Sequence, residues 1–290
     1  MSKFCKALLV SAFVWPLMPN AAHAFDDGAS SLTANLKRIA VQYNQNSVSN
    51  RGEDAEYPGT FNSDEQELVS FVFDGNLEYN MQKAVWLNSL FMEYGKSKST
   101  ENGVTTKSET ADKILLTTDY TLKMWELNQG FVGPFANLGY QTEFTTFEDE
   151  NGKKYRTKIL RGKTGLKLYE GEFFKELYIA AVEEADFTYS GTNMKTAGEL
   201  GYQFEYGLRE GVKFVSNGYL RKFFVYDKYR NTDFKYEAET NNRLDVAIIG
   251  GLSFAPFINY KIAKTRGASK YRSNKIIGLS LGYETDYKFW

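Results

Sequence analysis

Over residues 274–290 the side chains that favour an apolar surface fall on every second position: Ile277, Leu279, Leu281, Tyr283, Thr285, Tyr287 and Phe289. Small or charged residues fill the gaps: Gly278, Ser280, Gly282, Glu284, Asp286 and Lys288. A period of two over this length predicts a β-strand with one oily face and one wet face. It is far longer than an ordinary globular strand, and it closes on aromatics. A bilayer accounts for both features, since a tilted spanning strand takes about 9–11 residues and carries an aromatic girdle at each interface. The competing setting is the last strand of a soluble sandwich.

The start of the chain separates the two. Lys3 and Lys6 precede an apolar run over residues 7–18, and Ala22-His23-Ala24 forms a small-residue cleavage pattern. This predicts a signal peptide over residues 1–24 and a mature chain from Phe25. The apolar run is too short for a spanning helix. Cys5 precedes the run and does not lie at the cleavage site, so no lipoprotein pattern is present.

Cleavage removes the only Cys and the only His. The mature chain then has no disulfide, no thiol nucleophile and no imidazole. It also loses two lysines and no acid, so the formal charge moves from −1 to −3. A basic nucleic-acid face has no support in that balance.

Alternation recurs along nearly the whole chain. Residues 32–46 read as a first strand, and Val69, Phe71, Phe73, Leu77 and Tyr79 mark a second. Residues 96–109 read as a long polar loop. Ile114, Leu116, Thr118, Tyr120, Leu122 and Met124 share one face, as do Ala136, Leu138, Tyr140, Thr142 and Phe144. Leu160, Thr164, Leu166 and Leu168 oppose Arg161, Lys163 and Lys167. Leu200, Tyr202, Phe204, Tyr206 and Leu208 oppose Glu199, Gln203, Glu205 and Arg209. Leu244, Val246, Ile248 and Leu252 form another set, and a shorter strand with Ile258, Tyr260 and Ile262 follows a turn at 253–256. The register of 177–189 and of 212–227 stays open, because charged residues occupy both faces.

The count comes to about twelve strands, an even number that suits a single-chain barrel with both ends on one side. The connections at 47–64, 97–109, 147–152, 190–194, 228–233 and 264–272 alternate with shorter ones at 80–82, 126–130, 169–173, 209–211 and 253–256. That asymmetry predicts long loops outside and short turns on the periplasmic side. The expectation is an all-β fold: a transmembrane antiparallel up-and-down β-barrel of about 12 strands, residues 25–290, after a cleaved signal peptide.

Two resemblances bear on this. The ending Tyr287-Lys288-Phe289-Trp290 resembles the C-terminal signal by which outer-membrane barrels are recognised for assembly, with Tyr283, Tyr287 and Phe289 in register and Trp290 one residue beyond. Trp86-Leu87-Asn88, Tyr94-Gly95 and Leu115-Leu116-Thr117-Thr118-Asp119-Tyr120 resemble the barrel family typified by salt-induced outer-membrane proteins, a domain family without an assigned activity, over roughly residues 66–290. The likeness implies a bacterial outer-membrane location and carries over no catalytic residue. Outer-membrane lipid and the barrel assembly machinery are the implied partners.

Chemistry must then reside in lumen and loops. The general base of barrel hydrolases is usually a His, and the mature chain has none. A carboxylate scheme built on Glu183, Glu184, Asp186, Glu199 and Glu205 competes with plain ion pairing of those groups. Zinc lacks His and Cys ligands, no loop has an EF-hand spacing, and no cofactor is expected. The expected lumen-lining residues are Arg161, Lys163, Lys167, Glu199, Glu205, Arg243, Asp245, Glu284 and Asp286. A basic wall beside or across from an acidic one would orient polar or zwitterionic solutes in a pore, or the charges would neutralise one another and plug a narrow lumen. The expectation is therefore a passive, porin-like channel for small polar solutes and no enzyme, with a structural or adhesive barrel as the alternative.

Overall fold

The computed structural model describes residues 30–49, 66–101, 104–148, 152–228 and 230–289. The expected signal peptide and Trp290 lie outside these. Twelve long strands run in chain order: β1 Ser31–Ser49, β2 Gln66–Asn80, β3 Ala84–Glu101, β4 Val104–Leu122, β5 Phe131–Thr142 and β6 Ile159–Tyr169. They continue as β7 Phe174–Asp186, β8 Asn193–Arg209, β9 Val212–Tyr226, β10 Phe234–Ile249, β11 Leu252–Thr265 and β12 Arg272–Lys288. Each pairs antiparallel with the next, and β12 returns to β1, so the sheet closes into an up-and-down barrel. Closure leaves no free edge. The seam runs from Ser49 opposite Ser273 to Thr33 opposite Lys288. The Phe289 N–H extends it by donating to the Leu32 carbonyl at 2.9 Å.

The two faces separate as a period of two requires. Val41, Phe71, Leu116, Leu138, Ile179, Leu200 and Leu279 stand on the outside, each about half exposed. Alternate positions turn inward and are buried, among them Gln42, Ser70, Asp119, Lys167, Glu184, Glu199 and Arg221. The outside is thus oily and the inside polar, the inverse of a soluble domain. An apolar belt of this extent is not tolerated in water.

Connections differ in length between the two ends. Residues 81–83, 170–173, 210–211 and 250–251 turn tightly at one end, where 123–130 is the longer exception, while 143–158, 187–192, 227–233 and 266–271 run longer at the other. Three features differ from the sequence reading. Residues 96–109 are not a loop: β3 and β4 run on as a ribbon, with Ser97 opposite Ser108 and Glu101 opposite Val104. The ladder's own backbone bonds sustain strand there without an apolar face.

The turn lies at Gly250-Gly251, not at 253–256. Both glycines have positive φ, 53° and 84°, as a tight hairpin demands. Pro256 then falls inside β11, opposite Leu279. The partners on β10 pass from Arg243–Phe257 to Val246–Phe254 with none between, the gap a residue without an N–H leaves in a ladder. Finally, the two open registers resolve: Glu184 and Arg221 face the lumen, and their neighbours Glu183 and Lys222 face out.

Candidate functional site

The lumen wall formed by β6–β10 is closed by ion pairs. Arg161 on β6 donates from Nε and Nη2 to Glu184 Oε2 on β7, at 3.0 and 2.6 Å. Lys195 on β8 holds the other oxygen of Glu184 at 2.9 Å, and its ammonium lies 3.3 Å from Asp233. Asn193 donates to Asp233 in turn, which ties the ladder to the 227–233 connection.

One turn of the pleat lower, Glu199 is gripped from three sides. Lys163 on β6 contacts Oε1, Tyr178 on β7 donates to the same oxygen at 2.6 Å, and Arg221 on β9 donates to Oε2 at 2.5 Å. The Arg221 guanidinium also reaches Glu237 on β10 at 2.5 Å. Tyr178 attains this position by lying against Gly201, where a Cβ would come within 2.3 Å of the phenol ring. Near the short-turn end Lys167 meets Asp119 at 2.7 Å, over the Phe135 ring, and Asp119 also accepts from Thr121 and Asn137. Taking charges out of water is costly unless they are paired and hydrogen-bonded. Here the alternation that turns charges inward also brings their partners within reach, from the adjacent strand for Arg161–Glu184 and Arg221–Glu237 and from the strand beyond it for Lys163–Glu199 and Lys167–Asp119.

The wall formed by β1–β4 is different. Arg38, at a bulge in β1, stands opposite Asp74 on β2, and Glu93 on β3 stands opposite Lys113 on β4. Among the described residues no ion pair joins any of the four, and the Arg38 Nε has no hydrogen-bond partner. Lys113 sits over the Phe91 ring, 5.6 Å from its centroid. Its charge is felt by Glu239 and Lys261 on β10 and β11 as well as by Glu93 on its own wall, and that of Arg38 by Arg243 and Asp245 as well as by Asp74 and Glu93. The rest of this side mixes buried amides and hydroxyls, Gln42, Asn44 and Ser70, with buried Ala40, Leu68 and Val72, and its Asp119 is paired with Lys167 across from it.

The residues expected to line the lumen are therefore placed as follows. Arg161, Lys163, Lys167 and Glu199 belong to the ion-pair network. Arg243 and Asp245 pair with each other through the guanidinium Nη2 at 2.8 Å. Glu205 approaches Lys213 at 4.0 Å. Glu284 and Asp286 fall in the inward register but sit exposed at the short-turn end of β12, apart from the rest. Glu183, Glu184 and Asp186 do not converge: Glu183 points outward to the Thr196 hydroxyl, and Glu184 is clamped between two cations. The members that sequence reading missed are Lys195, Arg221, Glu237, Arg38 and Lys113. Tyr283, Tyr287 and Phe289, the expected assembly residues, share the outer face, and the last two rings meet edge to face at 4.8 Å.

Comparison with known proteins adds the following. A family model described as Protein of unknown function (DUF3078) matches residues 65–146. The motifs behind the resemblance to salt-induced outer-membrane proteins fall inside that stretch, but the match does not carry that name. No curated protein matches the chain. Among solved structures, the chain is similar to the translocator domain of the autotransporter NalP from Neisseria meningitidis, at 10% identity over 96% of this chain and 97% of that one, TM-score 0.39. An outer membrane channel from Pseudomonas putida F1 is 12% identical over 92% and 99%, TM-score 0.43. The outer membrane channel DcaP of Acinetobacter baumannii is 7% identical over 90% and 99%, TM-score 0.42.

Proposed function

We propose that this chain is an outer-membrane barrel, long connections outward, that passes small polar solutes along the β1–β4 side of its lumen. The observation that carries the reading is the contrast between walls. Charges held in direct pairs cannot exchange partners with a passing solute, whereas Arg38, Asp74, Glu93 and Lys113 keep their hydrogen-bonding capacity for water and solute. With both signs on one wall, the passage suits zwitterionic or weakly charged molecules. The apolar outer belt supports membrane insertion, since closed barrels leave no backbone group unsatisfied in lipid.

A structural or adhesive barrel is the second reading. Two apolar clusters within the lumen favour it: Val85 with Phe131 and Tyr169, and Val182 with Ala197 and Phe223. Single-channel recording in a planar bilayer tests the choice. Discrete conductance steps whose cation preference rises in Lys113→Glu are expected of the channel. A silent bilayer containing folded protein would favour the packed barrel.

A further inference from the structure

The outer face of β7–β11 is interrupted by a furrow of about 550 Å³, flanked by Leu177, Leu200, Leu220, Phe204, Tyr260 and Ile262. Its floor is low because Gly218 has no side chain and Ser216 and Thr240 are small. Tyr202 lies across Gly218 and closes the floor's polar groups, its hydroxyl meeting Thr240 at 2.8 Å and Ser216 at 3.1 Å. The hydroxyls thus satisfy each other and leave an apolar furrow between the walls.

At the long-connection end of this furrow three lysines project outward. Lys222 follows Leu220 by two residues on the same face, and Lys264 follows Ile262 likewise. Tyr236 stands between them in the register. Lys275 on β12 is directly opposite Tyr260. None of the three has a carboxylate partner among the described residues: Lys222 sits over the Phe224 ring, and Lys264 gives one of its protons to the Ser269 carbonyl. The outward positions of β9–β12 hold no Asp or Glu. The nearest outward carboxylate on β7, Glu183, is engaged by Thr196.

We infer that this face binds a phosphorylated membrane lipid, one chain in the furrow and the phosphate held by Lys222, Lys264 and Lys275. The charge fits an anion and not a zwitterionic headgroup, because no outward acid stands beside the lysines to receive a quaternary amine. Long lysine stems allow the ammonium groups to reach headgroup level while the furrow stays in the hydrocarbon. The inference rests on membrane embedding but not on conduction.

The test uses purified, folded full-length protein reconstituted in phosphatidylcholine vesicles with a minor share of phosphatidic acid, then re-extracted for mass spectrometry of the retained lipid. Phosphatidic acid should be enriched over its share, and each Lys→Gln change at 222, 264 or 275 should lower the enrichment about five-fold. Ala238→Trp, which fills the furrow from its β10 wall, should lower retention of both lipids. Glycerol phosphate, a headgroup without chains, should not displace the bound lipid. Unchanged enrichment in the triple glutamine variant, or displacement by glycerol phosphate, overturns the inference. Gel mobility of unboiled samples keeps folding separate: loss of the folded form in phosphatidylcholine alone would count against embedding itself, and Lys→Gln at these outward sites should leave it unaltered.

Discussion

The two sides of the lumen solve the same problem in opposite ways. Both carry charges inside a closed barrel. On the β6–β10 side, Glu184 and Glu199 each receive two cations, and Arg221 bridges two carboxylates. On the β1–β4 side, Arg38, Asp74, Glu93 and Lys113 sit in adjacent rungs without closing a contact. The difference teaches that charge count says little about a lumen; what matters is whether opposite signs occupy neighbouring rungs at contact distance. The paired side behaves as structure. The unpaired side has interaction capacity to spare.

The largest effect is expected at the seam that holds both sides in one sheet. Deleting residues 287–290 removes the end of β12 that Ala34 and Leu32 bond, and backbone groups left unpaired in lipid cost several kcal/mol each. The folded, heat-modifiable form should disappear from the membrane fraction, whereas substituting Trp290 alone should reduce it less. Wild-type amounts of folded deletion protein would refute closure at this seam.

Arg221→Met comes next. It leaves buried Glu237 without its cation and Glu199 with Lys163 and Tyr178 alone, at about 3–5 kcal/mol, and the urea midpoint in micelles should fall accordingly. A midpoint matching the wild type would mean the paired wall is hydrated after all. Placing Arg at Leu200, outward in the middle of β8 opposite Ile179, should cost about 2–4 kcal/mol, and the same change at inward Gln203 should be tolerated. Equal tolerance at both sites would contradict the assigned register.

The smallest stability effect is expected on the unpaired side. Lys113→Gln should shift unfolding by no more than about 0.5 kcal/mol, because no ion pair is lost. A loss comparable to that of Arg221→Met would erase the contrast.

How much of this was legible in the sequence depended on which face a residue occupies. Where the outer face is uninterrupted by polar residues, as at Leu200, Tyr202, Phe204, Tyr206 and Leu208, the strand and its register were legible without help. The lumen accepts polar and apolar side chains alike, and its partners come from other strands. Where like charges straddle the two faces, as at Glu183-Glu184 and Arg221-Lys222, alternation carries no information, and the central ion pairs fell within those stretches. Lys195 is paired through Glu184, whose register was open, so its role was hidden too. Pro256 reads locally as a turn, yet cross-strand pairing to Leu279 keeps it inside β11. The ribbon at 96–109 has no apolar alternation in its sequence to signal it, although Ser97 pairs with Ser108 and Glu101 with Val104.

The central claim is that solute passes the β1–β4 wall and not the β6–β10 wall. With the only cysteine, Cys5, in the expected leader, single-cysteine variants can report on each wall in turn. Single-channel current should be measured before and after a charged, membrane-impermeant methanethiosulfonate reagent is added to Lys113→Cys and, separately, to Val182→Cys, whose side chain is fully buried on the paired wall. A stepwise fall in current for Lys113→Cys and none for Val182→Cys is the predicted result. Block at Val182→Cys with Lys113→Cys unaffected would contradict the assignment of the passage.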